Sequence, residues 1–235
     1  MRAATRIGLA SVMIAALATA FWTSPADAVQ PYEDPWFQPV SQGPSQCGPA
    51  CFYMIFNHYG AHQVFTECDL SEHPELMSAY GYEITSDTAI CRWINGGKRQ
   101  GTTWKQLKQA ADGLHAPGST QAYFTSELQS DTTPYNSPAA DEERMRRLDY
   151  IKREYLDRNR PVIIHMRRVW YLPGHYLVLT GYDPASGMVY YADPSNGGMG
   201  EISRESFVRD KWYASPVHWP GYPRARWDGE WMGFY

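Results

Sequence analysis

The stretch that decides how this chain folds is residues 42–51, Gln-Gly-Pro-Ser-Gln-Cys-Gly-Pro-Ala-Cys. It places Cys47 directly before an apolar run, residues 52–59, which has the character of a helix and stops at Gly60. Backbone N–H groups are unsatisfied at a helix N-terminus and the helix dipole is positive there, so a thiol at this point is favoured as the nucleophilic thiolate. The stretch therefore predicts a reactive cysteine at the start of a helix.

A hairpin far downstream supplies partners for this thiol. Residues 175–182 are apolar and read as a strand, and a Gly-containing turn separates them from a second strand, residues 188–192. A hairpin brings the start of its first strand, His175, next to the end of its second, Asp193. Asp183-Pro184 repeats the Asp-Pro dipeptide but lies at the far end. Cys47, His175 and Asp193 are thus predicted as nucleophile, base and base-orienting acid.

Three other histidines are rivals for the base: His58, His165 and His218. His58 lies on the same helix as Cys47, about 16 Å along it, which is too far. His165 lies inside an apolar strand and is predicted to be a core residue. His218 lies in a Pro/Trp-rich segment with no carboxylate after it. His175 is the preferred base.

These motifs resemble the papain-like cysteine peptidase superfamily, and within it the bacterial branch of peptidases that remove double-glycine leaders from bacteriocins. The matching elements, spread from about Tyr32 to Trp212, are Gln42, Cys47-Gly48-Pro49-Ala50, Gly174-His175, Gly181-Tyr182-Asp183 and Asp193-Pro194. The resemblance implies that Gln42 stabilises the oxyanion, together with the backbone N–H of Cys47. Four residues separate Gln42 from Cys47 where the family usually has five, and Gln46 is the alternative donor.

The periodicity along the chain predicts an α+β fold. Helices are expected at residues 103–114 and 141–158 and a short one at 203–212, with strands at 161–166, 175–182 and 188–192. In the papain-like arrangement, the N-terminal helix that carries the cysteine packs on an antiparallel sheet that carries the histidine and aspartate. Residues 219–235 are rich in aromatic side chains and are predicted to form a strap packed over the sheet.

The N-terminus reads as a signal peptide. Arg2 and Arg6 precede an uncharged apolar run, and Ala26-Asp27-Ala28 fits a cleavage site. Residues 1–28 are predicted to be removed and residues 29–235 to form one domain. The protein is expected to be secreted, periplasmic or at the cell surface.

The four cysteines are interpreted in that oxidising context. With Cys47 kept as a free nucleophile, the preferred disulfide joins Cys68 to Cys91. A bridge from Cys51 to either of these two is the competing arrangement.

Composition excludes several classes of function. Cleavage of the signal peptide removes two arginines and one aspartate, which changes the formal net charge from −4 to −5. An acidic chain without basic blocks has no electrostatic reason to bind nucleic acid or a membrane surface. No pair of His or Cys residues has convincing metal-ligand spacing, so no metal or other cofactor is predicted.

The sequence leaves three functions open. The leading one is a secreted cysteine hydrolase that cleaves peptide or amide bonds through a thioester acyl-enzyme, with a peptide or protein as substrate. An acyl transferase or transpeptidase of the phytochelatin-synthase type would use the same residues. A catalytically silent binding module on the same fold is the alternative from another class.

Overall fold

A six-stranded antiparallel sheet forms the centre of the fold. The computed structural model describes residues 37, 39–43, 45–59, 83–84, 89–96, 98, 100–113, 125–130, 137–167, 174–214 and 224–235. The sheet has the strand order β3-β8-β4-β5-β6-β7. Its members are β3 (Ser126–Gln129), β4 (Val162–Arg167), β5 (His175–Asp183), β6 (Met188–Asp193), β7 (Gly198–Ser203) and β8 (Arg226–Phe234). A separate parallel pair joins β1 (Ser41–Gln42) to β2 (Glu83–Ile84).

Helices cover both faces of this sheet. They are α1 (Cys47–His58), α2 (Ala89–Asn95), α3 (Trp104–Asp112), α4 (Pro138–Glu154), a 3-10 turn (Leu156–Arg158) and α5 (Arg204–Arg209). Residues of α1, α2 and α3 form one apolar core with alternate side chains of the sheet, among them Tyr176 and Val178. Residues of α4 and α5 form a second core with the opposite side chains, among them Leu177 and Leu179. The α+β prediction is confirmed, with the cysteine at the start of the first helix.

Local sequence signals account for the helix boundaries. At the start of α3, the Thr103 hydroxyl accepts a hydrogen bond from the backbone N–H of Gln106. The Gln106 side chain in turn accepts one from the backbone N–H of Thr103, so the two residues form a capping box. Ser137 caps α4 in a similar way, with Pro138 as the first helical residue. The predicted helix at residues 141–158 thus begins three residues earlier than expected and ends in the 3-10 turn.

The C-terminal segment differs most from its prediction. Residues 219–235 were predicted as a strap over the sheet, but Arg226–Phe234 form β8, which lies between β3 and β4. All nine residues of β8 are buried. The aromatic rings that suggested a covering strap, such as Trp227 and Trp231, instead fill the core below α4. The predicted signal peptide, Cys68 and His218 lie outside the described residues.

A buried ionic cluster joins β8 to α4 and α5. Arg144 of α4 is fully buried; its Nε donates to the carbonyl of Val208 at 3.1 Å, and its guanidinium also pairs with Asp141. Arg226 of β8 donates to the same Asp141 carboxylate at 2.7 Å and to the same Val208 carbonyl at 3.1 Å. Two arginines from different elements therefore share one carboxylate and one carbonyl.

Replacing Arg144 should destabilise the fold strongly. Arg144→Ala empties the space of a large, fully buried side chain and removes one of the two arginines that Asp141 and the Val208 carbonyl share, so we expect a loss of about 3–5 kcal/mol in the free energy of unfolding. Arg146 is the matched control, because it pairs with Glu143 on the same helix but is 70% exposed. Arg146→Ala should cost less than about 1 kcal/mol. Urea denaturation measures both; equal losses would contradict the importance of the cluster.

Candidate active site

Cys47 occupies the first position of α1 and is 8% exposed. Its side chain is part of the core that lies between α1 and the sheet. A Cβ at Gly48 would lie 2.8 Å from Cβ of Thr102, so glycine permits the close contact between α1 and the segment before α3. Pro49 lacks an N–H group, which costs nothing in the first turn of a helix. The Cys-Gly-Pro motif thus places the thiol where the helix meets the sheet.

His175 begins β5 and links the thiol to a carboxylate. Its Nε2 forms a 2.8 Å hydrogen bond with Oδ1 of Asp193, and both side chains are about 7% exposed. A second hydrogen bond joins the imidazole to Cys47, and the backbone N–H of Tyr176 also donates to the sulfur. Since Nε2 is engaged by Asp193, the nitrogen that serves Cys47 is Nδ1. The three residues form one continuous hydrogen-bonded chain.

The hairpin positions Asp193 as its sequence pattern predicts. Strands β5 and β6 pair antiparallel, with Val178 opposite Ala192, so Asp193 returns to the end of β5 where His175 lies. Asp183 lies in the turn at the other end, where its carboxylate accepts hydrogen bonds from the N–H of Ala185 and the hydroxyl of Ser186. The two Asp-Pro dipeptides therefore have different roles in the structure.

The charges of these three hydrogen-bonded residues favour a thiolate on Cys47 and an imidazolium on His175. Burial opposes ionisation of Cys47, but the hydrogen bond from His175 and its positive charge lower the pKa of the thiol below its ordinary value. Burial alone would lower the pKa of His175; its bonds to Asp193 and Cys47 outweigh this and raise the pKa to about 9. Burial likewise opposes the charge on Asp193, and His175 nevertheless holds the pKa of that carboxyl below its usual range.

Sequence reasoning missed Tyr213, which contacts two members of the chain. Its hydroxyl donates to Oδ2 of Asp193 at 2.7 Å, and its ring stacks on the His175 imidazole at 5.1 Å with an angle of 10° between the planes. The backbone of Ser195 and its hydroxyl donate to the other oxygen, Oδ1. Tyr213 is buried and is held by backbone hydrogen bonds to Ala225 in both directions. No local pattern identifies it, because it lies 20 residues beyond Asp193 in an irregular segment.

The two candidate glutamines differ in their surroundings. The side-chain amide of Gln46 donates to the Lys98 carbonyl at 3.1 Å and accepts from Asn95 at 3.3 Å, so both of its ends are engaged. The backbone N–H of Gln42 donates to the Pro194 carbonyl at 2.8 Å, which fixes Gln42 beside Asp193. Its amide nitrogen makes a 3.3 Å bond to the adjacent Gly43 carbonyl, and its amide oxygen has no partner among the described residues.

A second histidine, His165, lies beside this site with two acids. Its Nδ1 is 2.6 Å from Oδ2 of Asp228 and 3.2 Å from Oε2 of Glu230. These three ligand atoms lie within 4.8 Å of one another, the composition of a divalent-cation site. The guanidinium of Arg167 already supplies a positive charge there, since its Nε lies 3.3 Å from the same Asp228 oxygen. His165 was predicted as a core residue, and its acidic partners were missed because they lie over 60 positions away.

The remaining cysteines were predicted to form a disulfide. Cys51 is a free, fully buried thiol, which excludes its bridges to Cys68 and Cys91. Burial and the neighbouring charges of Cys47 and Asp193 raise the pKa of Cys51 well above that of an ordinary thiol, so it stays protonated and unreactive. Cys91 is buried in α2, and its predicted partner Cys68 lies outside the described residues, so the Cys68–Cys91 bridge stays a prediction.

Comparison with known proteins identifies a family. Among curated proteins nothing matches the chain. The model of the Peptidase_C39 like family matches residues 34–216, which is most of the chain and includes Cys47, His175 and Asp193. None of the described helices is both long and apolar enough to cross a membrane. The chain belongs to the Peptidase_C39 like family, a cysteine-peptidase family of the papain-like superfamily.

Proposed function

We propose that this protein is a secreted cysteine hydrolase that cleaves peptide bonds with Cys47, His175 and Asp193. The observation that carries the proposal is the hydrogen-bonded chain from the thiol through the imidazole to the carboxylate. A structural thiol has no need of a buried imidazolium, whereas a nucleophilic thiol does. Membership of a peptidase family supports a peptide as the substrate.

In the first half of the reaction, the Cys47 thiolate attacks the carbonyl carbon of the scissile bond. The oxyanion that forms is stabilised by the backbone N–H of Cys47 and by the side chain of Gln42, since the amide of Gln46 is engaged elsewhere. The His175 imidazolium then gives its Nδ1 proton to the leaving nitrogen. The carbon–nitrogen bond breaks, an amine departs, and a thioester remains on Cys47.

In the second half, neutral His175 takes a proton from water, and the hydroxide attacks the thioester. The carbon–sulfur bond breaks, a carboxylic acid departs, and the thiolate–imidazolium pair is restored. Asp193 keeps its bond to Nε2 throughout, so the Nδ1 face of the ring stays aimed at the sulfur. Tyr213 holds both Asp193 and the plane of the ring, which limits rotation of His175 between the two halves.

The cellular setting follows from the N-terminal pattern. We propose that residues 1–28 are cleaved as a signal peptide, and that the domain at residues 29–235 acts outside the cytoplasm on a peptide or protein. The order of its motifs favours the branch of double-glycine-leader peptidases as the nearest functional type. N-terminal sequencing of the exported protein checks the cleavage point near Ala28.

Cys47→Ser should abolish hydrolysis without unfolding the domain. Cys51→Ser is the matched control, one helical turn away on the same face of α1, and it should keep activity because Cys51 is protonated and buried.

Iodoacetamide at about pH 6 should label Cys47 quickly, because the lowered pKa of this thiol keeps it ionised, whereas an ordinary thiol with a pKa of about 8.5 is mostly protonated at that pH. Activity should decline as the pH rises through about 9, where His175 loses its proton. Undiminished hydrolysis by Cys47→Ser would refute the assignment.

Asp193→Asn should fold but lose activity about 10- to 1000-fold, less than the roughly 10⁴-fold loss known for the aspartate of serine proteases, because an amide can still orient the ring. Asp193→Ala should cost more. Asp183→Asn is the control, because it has the same dipeptide context at the opposite end of the hairpin. Steady-state kinetics on a peptide substrate would tell against the triad if the Asp183 variant proved the damaged one.

Tyr213→Phe should reduce kcat about tenfold and leave KM nearly unchanged, because it removes one hydrogen bond to the charged Asp193 and keeps the stacked ring. Tyr213→Leu removes the stack as well and should cost more. Tyr182→Phe serves as control, since Tyr182 is half-buried on β5 and packs under Lys152. A loss confined to KM, or equal losses in the Tyr182 variant, would argue against a positioning role.

A further inference from the structure

The cluster around His165 has no part in the proposed mechanism, yet it lies next to the reacting thiol. His165 pairs across the sheet with Tyr176, whose backbone N–H donates to the Cys47 sulfur. The His165 ring lies 5.1 Å from the Tyr176 ring and 6.3 Å from that of Trp104, so it faces the side of the sheet that α1 covers. The cluster therefore lies next to the site, because the residue that pairs with His165, Tyr176, directly follows His175.

An irregularity of β8 builds the cluster. Between the paired residues Ile164–Trp231 and Met166–Trp227, β4 has one residue, His165, whereas β8 has three, residues 228–230. Gly229 at the centre of this bulge has a φ of +90°, a conformation that favours glycine. Bulges commonly redirect side chains near functional sites, and this one directs two carboxylates at a single imidazole nitrogen.

The charges of the cluster are arranged by depth. The side chains of Asp228 and Glu230 are 1% and 8% exposed, whereas those of His165 and Arg167 are 15% and 32% exposed. The indole N–H of Trp104 also donates to Glu230, at 2.8 Å. The two acids are thus the more buried members of the cluster, and the two cationic side chains are the more exposed ones. Burial opposes the charge on His165, but the two carboxylates overcome this and raise its pKa to about 9.

The two ring nitrogens of His165 have different neighbours. Nδ1 is held by the acids. Nε2 lies against Gly174, where any Cβ would overlap the imidazole. The glycine that precedes His175 therefore makes room for the imidazole, whose side chain stays 15% exposed beside the start of β5.

We propose that His165 and Arg167 form a binding site for a carboxylate of the substrate, beside the Cys47 thiol. Imidazolium and guanidinium groups are natural partners for a carboxylate, and buried acids that fix their position reduce the entropy lost on binding. The proposal rests on the proposed function, because it assigns the selectivity of that same thiol. The preferred substrates carry a carboxylate close to the bond that is cleaved, either an acidic side chain or a chain terminus.

Two alkylating reagents test this without a known substrate. Iodoacetate and iodoacetamide both transfer their carbon to the Cys47 thiolate and release iodide, but only iodoacetate carries a carboxylate. Relative to a free thiol such as glutathione, wild-type Cys47 should favour iodoacetate about tenfold at about pH 6, with a rate that saturates as iodoacetate increases. His165→Gln should lose most of this preference, measured as the ratio of its iodoacetate rate to its iodoacetamide rate.

The controls make each outcome decisive. His58→Gln changes a histidine at the far end of α1 and should keep the preference. If His165→Gln does not fold, Arg167→Gln, at a more exposed position, replaces it and should also reduce the preference. An unchanged preference in a folded variant, or none in wild type, overturns the carboxylate site. Slow iodoacetamide labelling of wild-type Cys47 would instead count against the proposed function.

The source of the carboxylate is resolved by two isomers. Acetyl-glutamate amide carries its carboxylate on the side chain, whereas acetyl-glutamine carries it at the chain terminus. Protection of Cys47 from iodoacetamide by the first indicates an acidic side chain, and protection by the second indicates a terminus. Acetyl-glutamine amide has no carboxylate and should not protect; equal protection by all three contradicts the proposal.

Discussion

The 2.8 Å hydrogen bond between His175 and Asp193 is the interaction on which the rest of the site depends. It joins the first residue of β5 to the last residue of β6, so it exists only while the hairpin keeps its register. The carboxylate is also held by Ser195 and Tyr213, which leaves it little freedom to turn. An imidazole fixed on one nitrogen can be aimed with the other, and its charge is what makes a buried thiol a thiolate. In the proposed mechanism, the reactivity of Cys47 therefore depends on the sheet as well as on its own helix.

Two glycines of the sequence motifs gain a physical explanation from this arrangement. Gly48 lets α1 approach Thr102, whose carbonyl accepts a hydrogen bond from Tyr176 at 3.0 Å. Gly174 makes room for the His165 ring beside the start of β5. Both are positions where a backbone must come close to a neighbouring side chain, and neither has a positive φ. The glycines of the Cys-Gly-Pro and Gly-His motifs thus allow α1 and the start of β5 to pack closely against Thr102 and His165.

The parts of the molecule that the sequence predicted are those with short-range causes. Two apolar runs with a turn between them predict the β5–β6 hairpin, and the pairing of that hairpin brings His175 and Asp193 together. The missed features all depend on contacts between distant segments. Strand β8 enters the sheet between β3 and β4, so its buried aromatic residues look like a surface strap until its partners are known. His165 looks like a core residue because the acids that charge it come from that strand. Tyr213 belongs to an irregular segment and is positioned by Ala225, again through a long-range pairing.

His175 and His165 have different roles in the proposals made here. Each is a buried imidazole with a carboxylate partner and a pKa raised to about 9, so electrostatics alone does not distinguish a base from a binding group. The surroundings of the second ring nitrogen distinguish the two histidines. The second nitrogen of His175 is bonded to the thiol, which in the proposed mechanism makes its proton part of the reaction, whereas Nε2 of His165 lies against Gly174. Buried ion pairs of this kind contribute little net stability compared with apolar packing, because desolvation offsets their attraction. The presence of two such pairs around one thiol therefore supports the proposal that they arrange charge for a substrate and do not serve mainly to stabilise the core.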